Sequence, residues 1–317
     1  VNVGKKLTLE KATKAQTINV GTGTGDWNIN NSAYGKIKIG GSNQDADINI
    51  KGATFKNPSD IETKKKVVLT GATKAGADGG SDMKIKAKTA ELPTAADTLA
   101  VKNLDLNLSG GLDLGAGKIL GQKDGKIKVS GVPSGKNIYI SQNAMASHAG
   151  DYYISYRAIN DTLDGFGGFD VAGDQYLYFY GGTVKKSINA AGKLGVEVRD
   201  DVTIEGEGTK LTVGSEPPAS GPMPETVITG GFTVNSGKSV TVKGKGAEID
   251  INTQDNIHLN QNAALKVEGD GAKVTLNARS GNIHLEQKAT LNLKGNNAMA
   301  TLNAQNGDVV LNGEAKV

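Results

Sequence analysis

The chain has 317 residues with no Cys, 44 Gly, 7 Pro and one Trp, and aromatic residues make up 4% of it. Those counts exclude a disulfide-stapled module, a thiolate zinc finger and an iron–sulfur protein. Its 36 basic and 33 acidic residues leave a net charge of +3, spread along the chain, which argues against a nucleic-acid groove, and no run approaches the roughly 18 apolar residues of a membrane span. Glycine at about twice its usual share of roughly 7% suits a core of aliphatic columns broken by many turns. The chain starts at Val1 without a charged-then-apolar leader, so it reads as a processed protein or an internal piece. The absence of Cys is compatible with export.

From the N-terminus, apolar residues recur in i, i+2 pairs with a polar residue between them. The pairs are Leu7/Leu9, Ile18/Val20, Trp27/Ile29, Ile37/Ile39, Ile48/Ile50, Val67/Leu69, Leu104/Leu106, Leu112/Leu114, Ile127/Val129 and Ile138/Ile140. This spacing predicts short strands with one buried face. The i, i+3, i+4 spacing of a helix is missing over any useful length, so helix content near zero is expected. Asn30, Asn107 and Asn160 head N-x-S/T triplets and are candidate glycan acceptors; chance matches in an Asn-rich sequence are the alternative. GTGTGD at Gly21 and GGSD at Gly79 lack the flanks of phosphate or calcium loops.

The beat breaks over residues 139 to 180, which hold ten of the fourteen aromatic residues. GDYYISYRAIN followed by DGFGGFDVAGDQYLYFYGG reads as two strands joined through a Gly-rich loop, an inserted accessory hairpin. Clustered tyrosines offer large amphipathic area for a glycan or protein partner. Tyr152, Tyr153, Tyr156, Phe166, Phe169, Tyr176, Tyr178 and Tyr180 are the candidate partner-binding residues. The competing reading is that the rings pack on one another as a small accessory core.

Two further pairs follow, Val196/Val198 and Val202/Ile204. Between them Glu197, Arg199, Asp200 and Asp201 form the best local cluster for acid–base chemistry on a polysaccharide, where paired carboxylates act as acid and base. With three Arg in the chain and no recurring signature around the cluster, a solvated surface is the better reading. SEPPASGPMPET, residues 215–226, holds four of the seven prolines and reads as an extruded loop.

Residues 239–317 carry the most regular repeats: SVTVKGKGAEIDINTQDNIHLNQ, ALKVEGDGAKVTLNARSGNIHLEQ and TLNLKGNNAMATLNAQNGDVVLNG. Equivalent pairs are offset by 25 or 26 residues, three pairs per repeat. Stacked repeats would pair each strand with its counterpart one repeat later, the pattern of a single-stranded parallel β-helix solenoid. At about 25 residues per coil, residues 1–317 would form one elongated domain of roughly a dozen coils. Asn252, Asn277 and Asn303 are equivalent and predict an amide ladder, with a turn preference as the alternative. His258 and His284 are also equivalent, but Val310 follows them in the third repeat. They read as a stacked surface pair, and no metal or cofactor is expected.

LNARSGNIHLEQKATLNLKG and LNAQNGDVVLNG resemble rungs of the filamentous-haemagglutinin family of large secreted exoproteins, over about residues 240–317 and loosely elsewhere. The resemblance implies a right-handed β-helix shaft, export through a partner outer-membrane transporter of a Gram-negative bacterium, and display on the cell surface as an adhesin for a host-cell or bacterial-surface receptor. Its related branch delivers toxins in contact-dependent growth inhibition, which is the alternative. A β-helical polysaccharide lyase or hydrolase is a second alternative. The secretion domain and toxin domain of the full family pattern are missing here, so the chain is expected to be an internal, non-enzymatic shaft and recognition segment, with no membrane insertion and no nucleic-acid partner.

Overall fold

The computed structural model describes residues 6–9, 18–20, 27–29, 36–55, 58–76, 78–142, 151–162, 166–214 and 229–317, with only the backbone described for residues 6–9, 18–20, 27–29 and 36. Asn30 and the Pro-rich segment 215–226 lie outside the described residues. The protein is all-β with long parallel sheets. Its one helix among the described residues is the five-residue Tyr156–Asn160, capped by Ser155, whose side chain accepts from the Arg157 backbone N–H. No helix among them is long and apolar enough to cross a membrane. Where the sequence predicts one elongated domain, the chain divides into two units: residues 1–133 with 152–168, and residues 134–151 with 169–317.

In the first unit the chain visits three sheets in strict rotation. Strands Lys36–Gly40, Ile48–Lys51 and Ala53–Phe55 are followed by Ser59–Glu62, Lys66–Thr70 and Ala72–Ala75, then by Met83–Ala87, Thr89–Glu91 and Thr98–Val101. Each of the first six pairs in parallel with the strand three places later. The pairing aligns Ile39, Ile61, Ile85, Leu106 and Val129 into one column, and every member is buried. Each such side chain contributes about 1.5–3 kcal/mol on leaving water. That repetition lets strands of three to six residues hold together without aromatic bulk.

In the second unit the regular repeats behave as their alignment predicts. Ile249, Val274 and Ala300 are paired in register, as are Val240, Leu265 and Leu291, and Ile257, Ile283 and Val309. The Asn252 and Asn277 amides are joined, Asn277 Nδ2 donating to Asn252 Oδ1 at 2.8 Å, and Asn303 continues their register. A second Asn column ties successive repeats at a corner: the Asn282 N–H donates to Asn256 Oδ1 at 2.7 Å and the Asp308 N–H to Asn282 Oδ1 at 2.8 Å. The last rung is uncovered: Val309 and Leu311 are 44% and 52% exposed where Ile283 and Leu285 are fully buried.

Within the segment 139–180, three described strands pair in parallel with strands further along the chain or with one another. Strand Ile138–Ser141 pairs in parallel with Tyr176–Val184, and Phe169 to Gly173 pair in parallel with Ile188–Gly192. On the described strands of this sheet the buried beat continues: Ile138/Ile140, Leu177/Phe179 and Val196/Val198 occupy successive inward positions. On these strands the outward residues are tyrosines at 139, 176, 178 and 180, so the sheet continues while its surface pattern changes.

Candidate recognition site

The outward face of one sheet in the second unit gathers four tyrosines. Tyr139 pairs with Tyr178 and Tyr178 with Glu197, on strands Ile138–Ser141, Tyr176–Val184 and Gly195–Glu205. Because successive side chains on a strand alternate faces, Tyr176, Tyr178 and Tyr180 share this side. The Tyr139 and Tyr178 centroids are 5.2 Å apart, those of Tyr139 and Tyr180 5.6 Å, and those of Tyr176 and Tyr178 5.8 Å with nearly parallel planes. These spacings fall in the favourable range for aromatic pairs.

The register slips by one residue between Phe179 and Tyr180: Phe179 faces Val198, but Tyr180 faces Asp200. Arg199 is the extra residue of this bulge, a device that re-aims a side chain. Its guanidinium carbon sits 3.8 Å from the Tyr178 ring centroid. The same group donates to Tyr180 Oη at 2.8 Å and, through Nε, to Glu197 Oε1 at 2.9 Å. Asn235 Nδ2 donates to that Glu197 oxygen at 2.9 Å. Partial burial works against the Arg199 charge, yet the bonds to Glu197 and Tyr180 outweigh it and hold its pKa above the ordinary value. Burial raises the Tyr178 hydroxyl, opposed by Arg199, and burial together with the Asp151 charge raises Tyr139.

No family model, curated protein or solved structure matches this chain.

Of the eight aromatic candidates, the structure leaves Tyr176 the most open, at 40% exposure, with Tyr153 and Tyr180 half-buried. Tyr178 is largely covered by its neighbours. Tyr152, Tyr156, Phe166 and Phe169 are buried, which removes them from the list of partner contacts: their rings pack inside, where apolar area is worth most. Tyr152 Oη donates to the Ser130 carbonyl at 3.0 Å, and burial pushes its pKa up. The sequence missed Arg199 and Glu197 as companions of the tyrosines. Writing IYIS, LYFY and VEVR in register would have found them, since the second and fourth residues of each point outward.

The remaining acidic candidates are engaged in holding rungs together. Asp200 Oδ1 accepts from Lys238 Nζ at 2.8 Å, and Asp201 Oδ1 accepts from the Ser239 N–H and hydroxyl at 2.7 and 2.8 Å. The Lys238 and Asp201 N–H bonds hold the Asp200 pKa below the usual carboxylate range. Of the sequons, Asn107 lies within strand Leu104–Leu108 between Lys86 and Ser130, and Asn160 ends the short helix half-buried. His258 and His284 are neighbours, as their equivalent positions predict, but their rings are tilted by 36° with centroids 5.0 Å apart rather than stacked.

Proposed function

We propose that the chain is a shaft and recognition segment of a secreted, cell-surface bacterial adhesin, its parallel strands wound as a right-handed β-helix and its partner engaged by Tyr176, Tyr180 and Arg199 around the covered Tyr178 ring. The winding is supported by the rotation of strands among three parallel sheets and by the unbroken inward column. The observation that carries the recognition role is the bulge that turns Arg199 onto Tyr178 beside the exposed Tyr176 ring. An aromatic face and a cation within one patch provide stacking and donors for a glycan or protein receptor. Elsewhere in the unit the outward polar groups bind the next rung, as Asp201 does Ser239. A receptor-bearing function is therefore better supported than turnover, because the carboxylates of the Glu197 to Asp201 cluster are committed to Arg199, Asn235, Lys238 and Ser239.

The test is binding of the purified chain to host epithelial cells, to intact Gram-negative bacteria and to a glycan array. Saturable binding to host cells or glycans supports the adhesin reading. Binding confined to bacteria redirects it to a toxin-delivery shaft, and release of unsaturated or reducing ends from acidic polysaccharides overturns both.

A further inference from the structure

On the same outward sheet face, two repeats nearer the C-terminus, His258 and His284 are in-register neighbours on strands Ile257–Leu259 and Ile283–Leu285. Glu286 lies two residues beyond His284 and therefore on the same side. His258 Nε2 is 3.0 Å from Glu286 Oε1. One ligand atom from each of the three residues lies within 4.8 Å of the other two. We propose that His258, His284 and Glu286 form a binding site for a divalent transition-metal ion of the zinc type.

The donor set is two imidazoles and one carboxylate, the combination zinc takes when three protein ligands leave a fourth position to water or an incoming group. Ligand bonds of about 2.0–2.2 Å place tetrahedral donors roughly 3.3–3.6 Å apart, so the three groups reach a common centre by side-chain rotation alone. The strands supply the rigidity, since His258 and His284 hang from a continuous parallel ladder. The side chains of His258 and Glu286 are 36% and 33% exposed, which leaves the ion a path in. Glu286 is also oriented from behind: Asn312 Nδ2, one repeat later, donates to Glu286 Oε2 at 3.0 Å and leaves Oε1 facing the imidazoles. A hydrogen bond of this kind to the oxygen turned away from the ion fixes a ligand carboxylate. The next repeat places Val310 where the histidines stand, so the site has two imidazoles and ends there.

The experiment is calorimetric titration of the full chain with Zn2+, with Co2+ absorption as the geometry readout. The variant is His258→Val with His284→Val, since the repeat itself accepts Val at this position and circular dichroism confirms the fold. Wild type is expected to bind one Zn2+ per chain and to give the intense visible bands of four-coordinate Co2+. The double variant is expected to lose both, Glu286→Gln to bind at least tenfold more weakly, and Asn312→Ala about tenfold more weakly. Absence of saturable binding up to about 1 mM, or binding that persists unchanged in the folded double variant, overturns the assignment. Loss of binding on replacing His148, which lies outside the described residues, with the double variant unaffected would do the same.

Discussion

Arg199 lies across the face of Tyr178, its guanidinium carbon 3.8 Å from the ring centroid, while its Nη1 reaches the hydroxyl of Tyr180. One residue of slippage between paired strands creates this contact, because without the bulge Arg199 would stand opposite Tyr180 in the ladder. The aromatic surface is thereby fixed by a cation held in place by Glu197.

Replacing Arg199 tests that coupling. Arg199→Ala is expected to lower stability by about 1–2 kcal/mol, the range for a partly desolvated cation–π contact, and to change the tyrosine near-ultraviolet dichroism. Arg199→Lys keeps the charge but not the planar fork, so it falls between the two. A thermal melt and dichroism spectrum identical to wild type in both variants would contradict the assignment.

The two buried tyrosines of the first unit should respond in opposite directions to loss of their hydroxyls. Tyr156 is fully buried with no hydrogen-bond partner for Oη among the described residues, so Tyr156→Phe is expected to be neutral or stabilising by up to about 1 kcal/mol. Tyr152→Phe forfeits the bond to Ser130 and should destabilise by about 1 kcal/mol. Urea unfolding of both variants checks the contrast.

Asp97 makes the first unit acid-sensitive. Its carboxylate accepts from the Gly71 N–H at 2.7 Å, the Thr94 N–H at 2.7 Å and the Thr94 hydroxyl at 2.8 Å. Burial raises its pKa, but these three bonds outweigh burial and leave it below the ordinary value. The folded pKa therefore lies under the unfolded one of about 3.9. Its stabilisation is fully present above that value and is lost as pH falls through the lower folded one. Asp97→Asn should cost about 1–3 kcal/mol at pH 7 and flatten this part of the acid transition. An unchanged profile of melting temperature between pH 5 and pH 2 would contradict it.

Gly206, Gly244, Gly269 and Gly295 stack at one corner, all with φ between +137° and +144°. A Cβ on Gly269 would overlap the Gly244 carbonyl of the previous rung, so Gly269→Ala is expected to cost about 2–3 kcal/mol from strain and displacement. Gly271, with φ +74° and open space around it, is the control. The residue one repeat later, Asn297, already adopts φ +57°, so Gly271→Asn should be close to neutral. Equal losses in the two variants would refute the stacked-corner explanation.

The parallel pairing was legible because inward residues repeat with fixed spacing: Val240, Leu265 and Leu291 align in sequence and in the sheet alike. Strands such as Ser59–Glu62 and Ala72–Ala75 escaped notice, since each has too few large apolar residues to stand out and gains its position from neighbours on both sides. The Tyr176 to Tyr180 segment stands out in the sequence as a break because its outward rings mask an inward beat of Leu177 and Phe179. The bulge at Arg199 leaves no mark in composition; only the register of paired strands reveals it. Glu286 escaped as a companion of the histidines for a related reason: it has no acidic equivalent in the other repeats, Asn260 and Asn312 standing in its place.

The most direct test of the recognition role compares Tyr176→Ala with Tyr156→Phe in receptor binding and in thermal melting, measured on the same preparations. Tyr176 is the exposed ring stacked on Tyr178, so its removal is expected to weaken binding at least tenfold, about 1.4 kcal/mol, with little change in melting temperature, while Tyr156→Phe leaves binding intact. Undiminished binding by a folded Tyr176→Ala variant would contradict the assignment of this face as the recognition surface.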